Sequence, residues 1–182
     1  LPLSVAGLER DCAFGVIEAG ISHPGEMAPL RDVLMPDIAV MTGIGPVHVE
    51  YFDSVRAIAE EKAALLEKLP AGGFAVLDPE DEFFGVLSAH SSAPVVTCSL
   101  KRRDAEYAAE PQGAGKLLVF ERATGESAIL PLPPPGGFTA ENVLRRDTGT
   151  RSTANENIAV RGEGVTLSVD GRSNSLIFYT TG

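Results

Sequence analysis

Residues 36–50 read PDIAVMTGIGPVHVE. Between Asp37 and Thr42 the run is short and continuously apolar, which is how a strand with both faces buried reads, the condition inside a parallel sheet. A shaped loop with Gly43, Gly45 and Pro46 follows it, and then comes a segment of helical spacing from Val55 to Leu69. In that segment Val55, Ile58, Ala59, Leu65, Leu66 and Leu69 favour one side, and Arg56, Glu60, Glu61 and Glu67 can face water. Three further apolar runs of the same kind lie at residues 13–19 (AFGVIEA), 73–77 (GFAVL) and 94–98 (PVVTC), with helical spacing over Glu26–Leu34 and Asp81–His90 between them. Strand and helix alternate, which predicts an α/β fold: a mostly parallel sheet with crossover helices, in a doubly wound arrangement.

After Leu100 the pattern changes. Glu106–Ala109, Lys116–Glu121 and Ser127–Leu132 read as short strands joined by glycine-containing turns, so an antiparallel edge is expected to follow the parallel part. Residues 131–137 (PLPPPGG) form a rigid punctuating loop, and Phe138–Arg146 has the makings of a short helix. Val165–Val169 and Ser175–Tyr179 flank an Asp170–Asn174 turn and are expected to pair as a hairpin. The organisation expected is therefore residues 1–137 as one α/β unit and 138–182 as a divergent tail with a hairpin.

The chain has 182 residues, 44% of them hydrophobic and 22% charged, the balance of one folded core. The net charge of −10 is carried unevenly: residues 1–100 hold 5 basic and 15 acidic side chains, and residues 101–182 hold 10 of each. An acidic balance of this kind argues against nucleic acid and anionic membrane as partners, because neutralising phosphates needs a basic surface. It suits a site that takes cations. Cys12 and Cys98 read as reduced core thiols, no close Cys/His cluster points to zinc, and no apolar run approaches the roughly 20 residues of a membrane span. A cytoplasmic location is the expectation. The first residue is Leu rather than Met, so a processed chain or a fragment is also expected.

Glu18 ends the first apolar run, and in an open α/β sheet the carboxyl ends of the strands open onto the ligand crevice. His48 emerges from the glycine-rich loop at the carboxyl end of the second run. Each has an ordinary reading, a solvated strand end and a surface histidine. If the two strands are neighbours, one carboxylate oxygen and one imidazole nitrogen can hold a divalent cation, with waters and phosphate oxygens completing its shell. Glu26, after Pro24–Gly25, opens a helix, where its charge compensates the helix dipole. Lys62 interrupts the acidic side of the long helical segment and, on its own, reads as a surface lysine paired with an acid a turn away.

Taken together, the stretches FGVIEAGISHPGEM (14–27), PDIAVMTGIGPVHVEYFDS (36–54) and IAEEKAALLE (58–67) resemble the central domain of the Mur ligases, the ATP-dependent amide-forming enzymes of peptidoglycan synthesis. The resemblance is nearest to the branch that joins D-alanyl-D-alanine to UDP-N-acetylmuramoyl-tripeptide, and it covers roughly residues 1–137. It implies ATP and Mg2+ as cofactors, with Glu18 and His48 as magnesium ligands. It implies that Lys62 is carbamylated by carbon dioxide and helps to hold a second metal, and that Asn142 belongs to the adenine-contacting stretch. Metal ions in such a site neutralise the charge that gathers on transferring phosphoryl oxygens.

The sequence departs from the family pattern in places. A glycine-lysine phosphate loop occurs nowhere in the 182 residues. Gly43 and Asp78 stand where the family often has Asn, and of the His-Asn-x-x-Asn stretch only Asn142 matches. The expectation is an incomplete ligase, inactive as this chain alone. The alternatives are a non-catalytic α/β binding or scaffold protein built on the same core, and a relative of folylpolyglutamate synthase or cyanophycin synthetase, against which the Pro-Gly-Glu loop argues. Without a preceding strand, a buried-type sheet edge would be open to a partner or to self-association.

Overall fold

The computed structural model describes residues 14–46, 49–113, 115–131 and 175–180, the last six and Phe14 by their backbone. Their strands form one eight-stranded sheet: β1 (Phe14–Glu18), β2 (Ile38–Met41), β3 (Phe74–Leu77), β4 (Val95–Ser99), β5 (Tyr107–Pro111), β6 (Lys116–Glu121), β7 (Ser127–Pro131) and β8 (Ser175–Thr180). Three α-helices join the early strands: α1 (Met27–Leu34), α2 (Val55–Ala63) and α3 (Phe84–His90). The order across the sheet is β1-β8-β2-β3-β4-β5-β6-β7. Pairs β2–β3, β3–β4 and β4–β5 are parallel, and β5–β6 and β6–β7 are antiparallel. The parallel block with crossover helices and the antiparallel edge are as the sequence predicts, except that this edge turns antiparallel only after β5 and that β8 pairs antiparallel with β1 and β2.

The helices do not divide between two faces. Met27 and Leu34 of α1, Ile58 and Ala63 of α2 and Leu87 of α3 share one core cluster with Ala39, Met41, Ala75 and Leu77 of the sheet. A doubly wound sheet needs the strand order to reverse direction. Here β2, β3 and β4 advance one way, and right-handed crossovers between strands advancing one way fall on the same side. The alternate residues Ile38, Val40 and Val76 form a second cluster on the other face, with Cys98, Tyr107, Ala109, Leu117 and Val119. One sheet thus carries two cores, and the second runs from the parallel strands into the antiparallel ones.

Local chemistry explains the helix bounds. Ser54 is extended, and its hydroxyl oxygen accepts from the Ala57 amide at 3.1 Å, which caps α2. The amide of Met27 at the start of α1 is satisfied from a distance, by Glu61 Oε1 at 2.9 Å. Beyond Ala63 the helix tightens into a 3₁₀ turn, Ala64–Leu66, ahead of Pro70. Its loose carbonyls find partners in other elements: Arg31 Nη1 donates to Ala64 O at 2.9 Å, and Ser92 Oγ donates to Leu66 O and Leu69 O, both at 3.1 Å. At the amino end of β3, the backbone of Gly73 approaches so closely that a Cβ there would collide with the carbonyl oxygen of Asp37.

The tail differs from the expected hairpin. Ser175–Thr180 is a strand, but it runs antiparallel between β1 and β2, with Ile177 level with Ile17 on one side and Ala39 on the other. Both of its hydrogen-bonding edges are therefore taken where it crosses these strands. Val165–Val169, the other half of the expected hairpin, and Phe138–Arg146, the expected helix, lie outside the described residues, as does Cys12.

Candidate active site

Ile17 and Ala19 pack with the helices, and Val16 packs into the second cluster, so the alternation of β1 turns Glu18 towards the face without those helices. Its Oε1 is buried and accepts no hydrogen bond, the one such side-chain atom among the described residues. A buried polar atom left unsatisfied costs about 1–3 kcal/mol, and a native structure keeps one only for a reason. An anionic oxygen in that position has the chemistry of a ligand for a hard cation.

The loop that follows Glu18 is organised by Glu26. Its Oε2 accepts from the amides of Ser22 at 2.7 Å and His23 at 3.0 Å, and these two bonds hold its carboxyl below the usual carboxylate range. Gly25 has φ +84°, a conformation that favours glycine, so Pro24-Gly25-Glu26 builds a tight turn rather than only compensating a dipole. The ring of His23 stacks on Tyr51, centroids 4.2 Å apart, in the 3₁₀ turn Val49–Tyr51. The segment just after the glycine-rich loop therefore lies against the loop that follows β1.

At the carboxyl end of β2, Gly43 has φ +146°. The amide of Ile44 donates to Asp81 Oδ2 at 3.3 Å, and Asp81 Oδ1 accepts from the Phe83 amide at 2.8 Å. Asp81 thus ties the loop after β2 to the loop after β3. It also acts on Lys62, which is not on the helix surface: it is 4% exposed, and its amine has neither a hydrogen bond nor an ion pair among the described residues. Burial pushes its amine down to about 8, and the charge of Asp81 pulls it partly back up. An amine in this state is in part uncharged near neutral pH, a reactive form that a surface lysine rarely presents.

The structure thus puts Glu18 at the carboxyl end of β1 and Lys62 within electrostatic reach of the loops after β2 and β3. It does not make β1 and β2 neighbours, because β8 lies between them. The expected adjacency is corrected to a spacing of two strands, about 10 Å. His48 and Asn142 lie outside the described residues. Among the described residues no three His, Cys, Asp or Glu side chains gather to hold a metal, and no helix is long and apolar enough to cross a membrane. Asp81 is the residue that reading the sequence missed. Its signal was present in Asp78-Pro79-Glu80-Asp81, a turn of acids just beyond a buried strand.

The family model of the Mur ligase middle domain matches residues 1–145. The chain belongs to that family. Curated relatives are UDP-N-acetylmuramoyl-tripeptide--D-alanyl-D-alanine ligases. That of Escherichia coli is 25% identical over 148 residues, 79% of this chain and 32% of the relative. That of Borreliella burgdorferi is 38% identical over 68 residues, 37% of this chain and 15% of the relative. The chain thus spans about a third or less of the length of these relatives. Among solved structures, the Acinetobacter baumannii ligase for D-alanyl-D-alanyl addition covers 86% of this chain and 34% of its own, at TM-score 0.65 and 19% identity. The MurF ligase of Thermotoga maritima in complex with ADP covers 83% and 35%, at TM-score 0.59 and 17% identity. At these identities the likeness is one of fold, and it places this Mur ligase middle domain on the architecture described above.

Proposed function

We propose that the chain is the middle-domain portion of an ATP-dependent ligase that adds D-alanyl-D-alanine to UDP-N-acetylmuramoyl-tripeptide in the cytoplasm. The observation that carries the reading is the orphaned oxygen of Glu18 at the carboxyl end of β1 in a chain of this family. In this reading residues 1–137 are the ligase portion, and 138–182 are a tail that departs from it.

The residues present fit a divalent cation. Glu18 would hold Mg2+ through the oxygen that has no protein donor, with His48 as the second ligand. When bound, the metal would supply charge neutralisation for phosphoryl transfer from ATP to the tripeptide carboxyl, which releases ADP; the dipeptide amine then displaces inorganic phosphate from the acyl phosphate. Lys62 is suited to carbamylation because burial keeps part of it uncharged, and the resulting anion would replace an unpaired cation with a metal ligand. Asp81 holds the Ile44 amide, and with it the loop that carries His48. Asn142 would contact adenine. Because a glycine-lysine phosphate loop is absent from the sequence, these 182 residues alone are expected to bind nucleotide weakly and to catalyse no ligation.

Titration of the chain with Mg2+ and Mn2+, beside its Glu18→Gln variant, tests the reading. A site that is lost on substitution, while the fold is kept within about 1 kcal/mol, supports it. Equal binding by both proteins, or none by either, favours a non-catalytic scaffold on the same core. ADP release with magnesium, the muramoyl-tripeptide nucleotide and D-alanyl-D-alanine at about 1 per second or faster would show that another segment supplies the phosphate site.

A further inference from the structure

β1 carries Glu18, yet it pairs with only one strand among the described residues. Its partner is β8, through five residue pairs from Phe14↔Thr180 to Glu18↔Leu176. β8 in turn pairs with β2 from Ile38↔Phe178 to Met41↔Ser175. From β1 to β5 it is the one strand that runs against the rest. β1 and β2 are thus parallel to each other, with their carboxyl ends on the same side, but no hydrogen bond joins them directly.

From this arrangement we infer that residues 175–180 are a positioning clasp: they hold β1 in the sheet and set where Glu18 stands relative to the loop after β2. Two ladder spacings separate β1 from β2, so β8 fixes a gap of about 10 Å where direct pairing would give about 5 Å. The clasp also fixes which way Glu18 points. With Glu18, Leu176 and Val40 level with one another, a slip of β1 by one residue would turn the carboxylate to the helix face and bring Ile17 out in its place. The Gly43 loop begins two residues beyond Met41, where β8 starts, so the same short strand borders both components of the crevice. The positioning role rests on the reading of Glu18 as a cation ligand, whereas the clasp itself does not.

Backbone substitutions in the full chain separate the two. Ile177→Pro removes a ladder bond in the middle of β8, and Tyr179→Pro acts beyond Phe178, where β8 pairs only with β1. Hydrogen exchange is expected to speed up at least about tenfold for the amides of residues 15–18 in both variants, with residues 74–77, 95–99 and 116–121 unchanged. Mn2+ affinity is expected to fall by about tenfold or more, and adding Glu18→Gln to either variant should lower it no further. Unchanged exchange in β1, or equal acceleration of every strand, overturns the clasp. Unchanged Mn2+ affinity in the proline variants, when Glu18→Gln alone lowers it, overturns the positioning role. If Glu18→Gln has no effect in the intact chain, the reading of Glu18 as a ligand falls, and the exchange data alone decide the clasp.

Discussion

Two buried cations, Arg31 and Lys62, lie in different settings. Arg31 is 5% exposed where α1 meets the turn that follows α2, and it is partnered on two nitrogens: Nη1 donates to Ala64 O and, at 2.8 Å, to Glu67 Oε2, and Nε donates to Asp32 Oδ1 at 2.9 Å. Lys68 shares Asp32, and His90 Nδ1 lies 3.1 Å from Glu67. Lys62 is buried to the same degree, and its amine has no hydrogen bond among the described residues. The contrast teaches where the fold has spare chemistry. The polar groups around Arg31 are used up in holding helices together, whereas the Lys62 amine and Glu18 Oε1 are each left without a hydrogen bond among the described residues.

The largest effect expected from breaking this contrast is at Arg31. Arg31→Ala should cost about 3 kcal/mol in urea unfolding, because it removes the donor shared by Ala64 O, Glu67 and Asp32 and empties a buried position. Arg31→Lys should recover less than half of that, since an ammonium cannot reproduce the planar fork. Lys62→Met should act in the opposite direction and stabilise the fold by about 2–3 kcal/mol at pH 7, where the parent holds a charge that burial opposes. The folded amine titrates at about 8 and the unfolded one near 10.5. Between these values the unfolded chain binds the extra proton, so the parent's stability should rise from pH 8 towards pH 10.5, and the variant should lack that rise. A flat parent profile would remove Lys62 from the comparison.

The amino ends of the strands, remote from the crevice, should tolerate little. Gly73→Ala is expected to cost about 2 kcal/mol in thermal or urea melts, since its methyl group meets the Asp37 backbone rather than a movable side chain. The smallest effect is expected at Met35, which ends α1 with φ +44° and is 74% exposed. Met35→Gly should stabilise by about 0.5–1 kcal/mol by relieving a left-handed residue that makes no buried contact, without altering cation binding.

The sequence by itself determined the parallel block, because each piece of it is a local pattern. The runs at 37–42, 73–77 and 94–98 become β2, β3 and β4 to within a residue or two, and the long helical segment forms but stops short of its breakers, the α-helix at Ala63 and the 3₁₀ turn at Leu66. It also placed Glu18 at a strand end. Tertiary structure decided what depends on contacts distant in sequence. Helices share one face because the strands advance without reversing, and no single segment encodes that. β8 enters the sheet some 160 residues after β1 in the chain, a pairing that the continuous apolar run Leu176–Tyr179 permits but does not specify. Lys62 is flanked by acids and reads as solvated. It is buried because α2 turns Ile58, Ala59, Lys62 and Ala63 inward together, and helical periodicity assigns the face without regard to the charge on one of its members. The unsatisfied oxygen of Glu18 and the link from Asp81 to the Ile44 amide exist only once separate loops meet, and so the chemistry of the crevice becomes legible only in three dimensions.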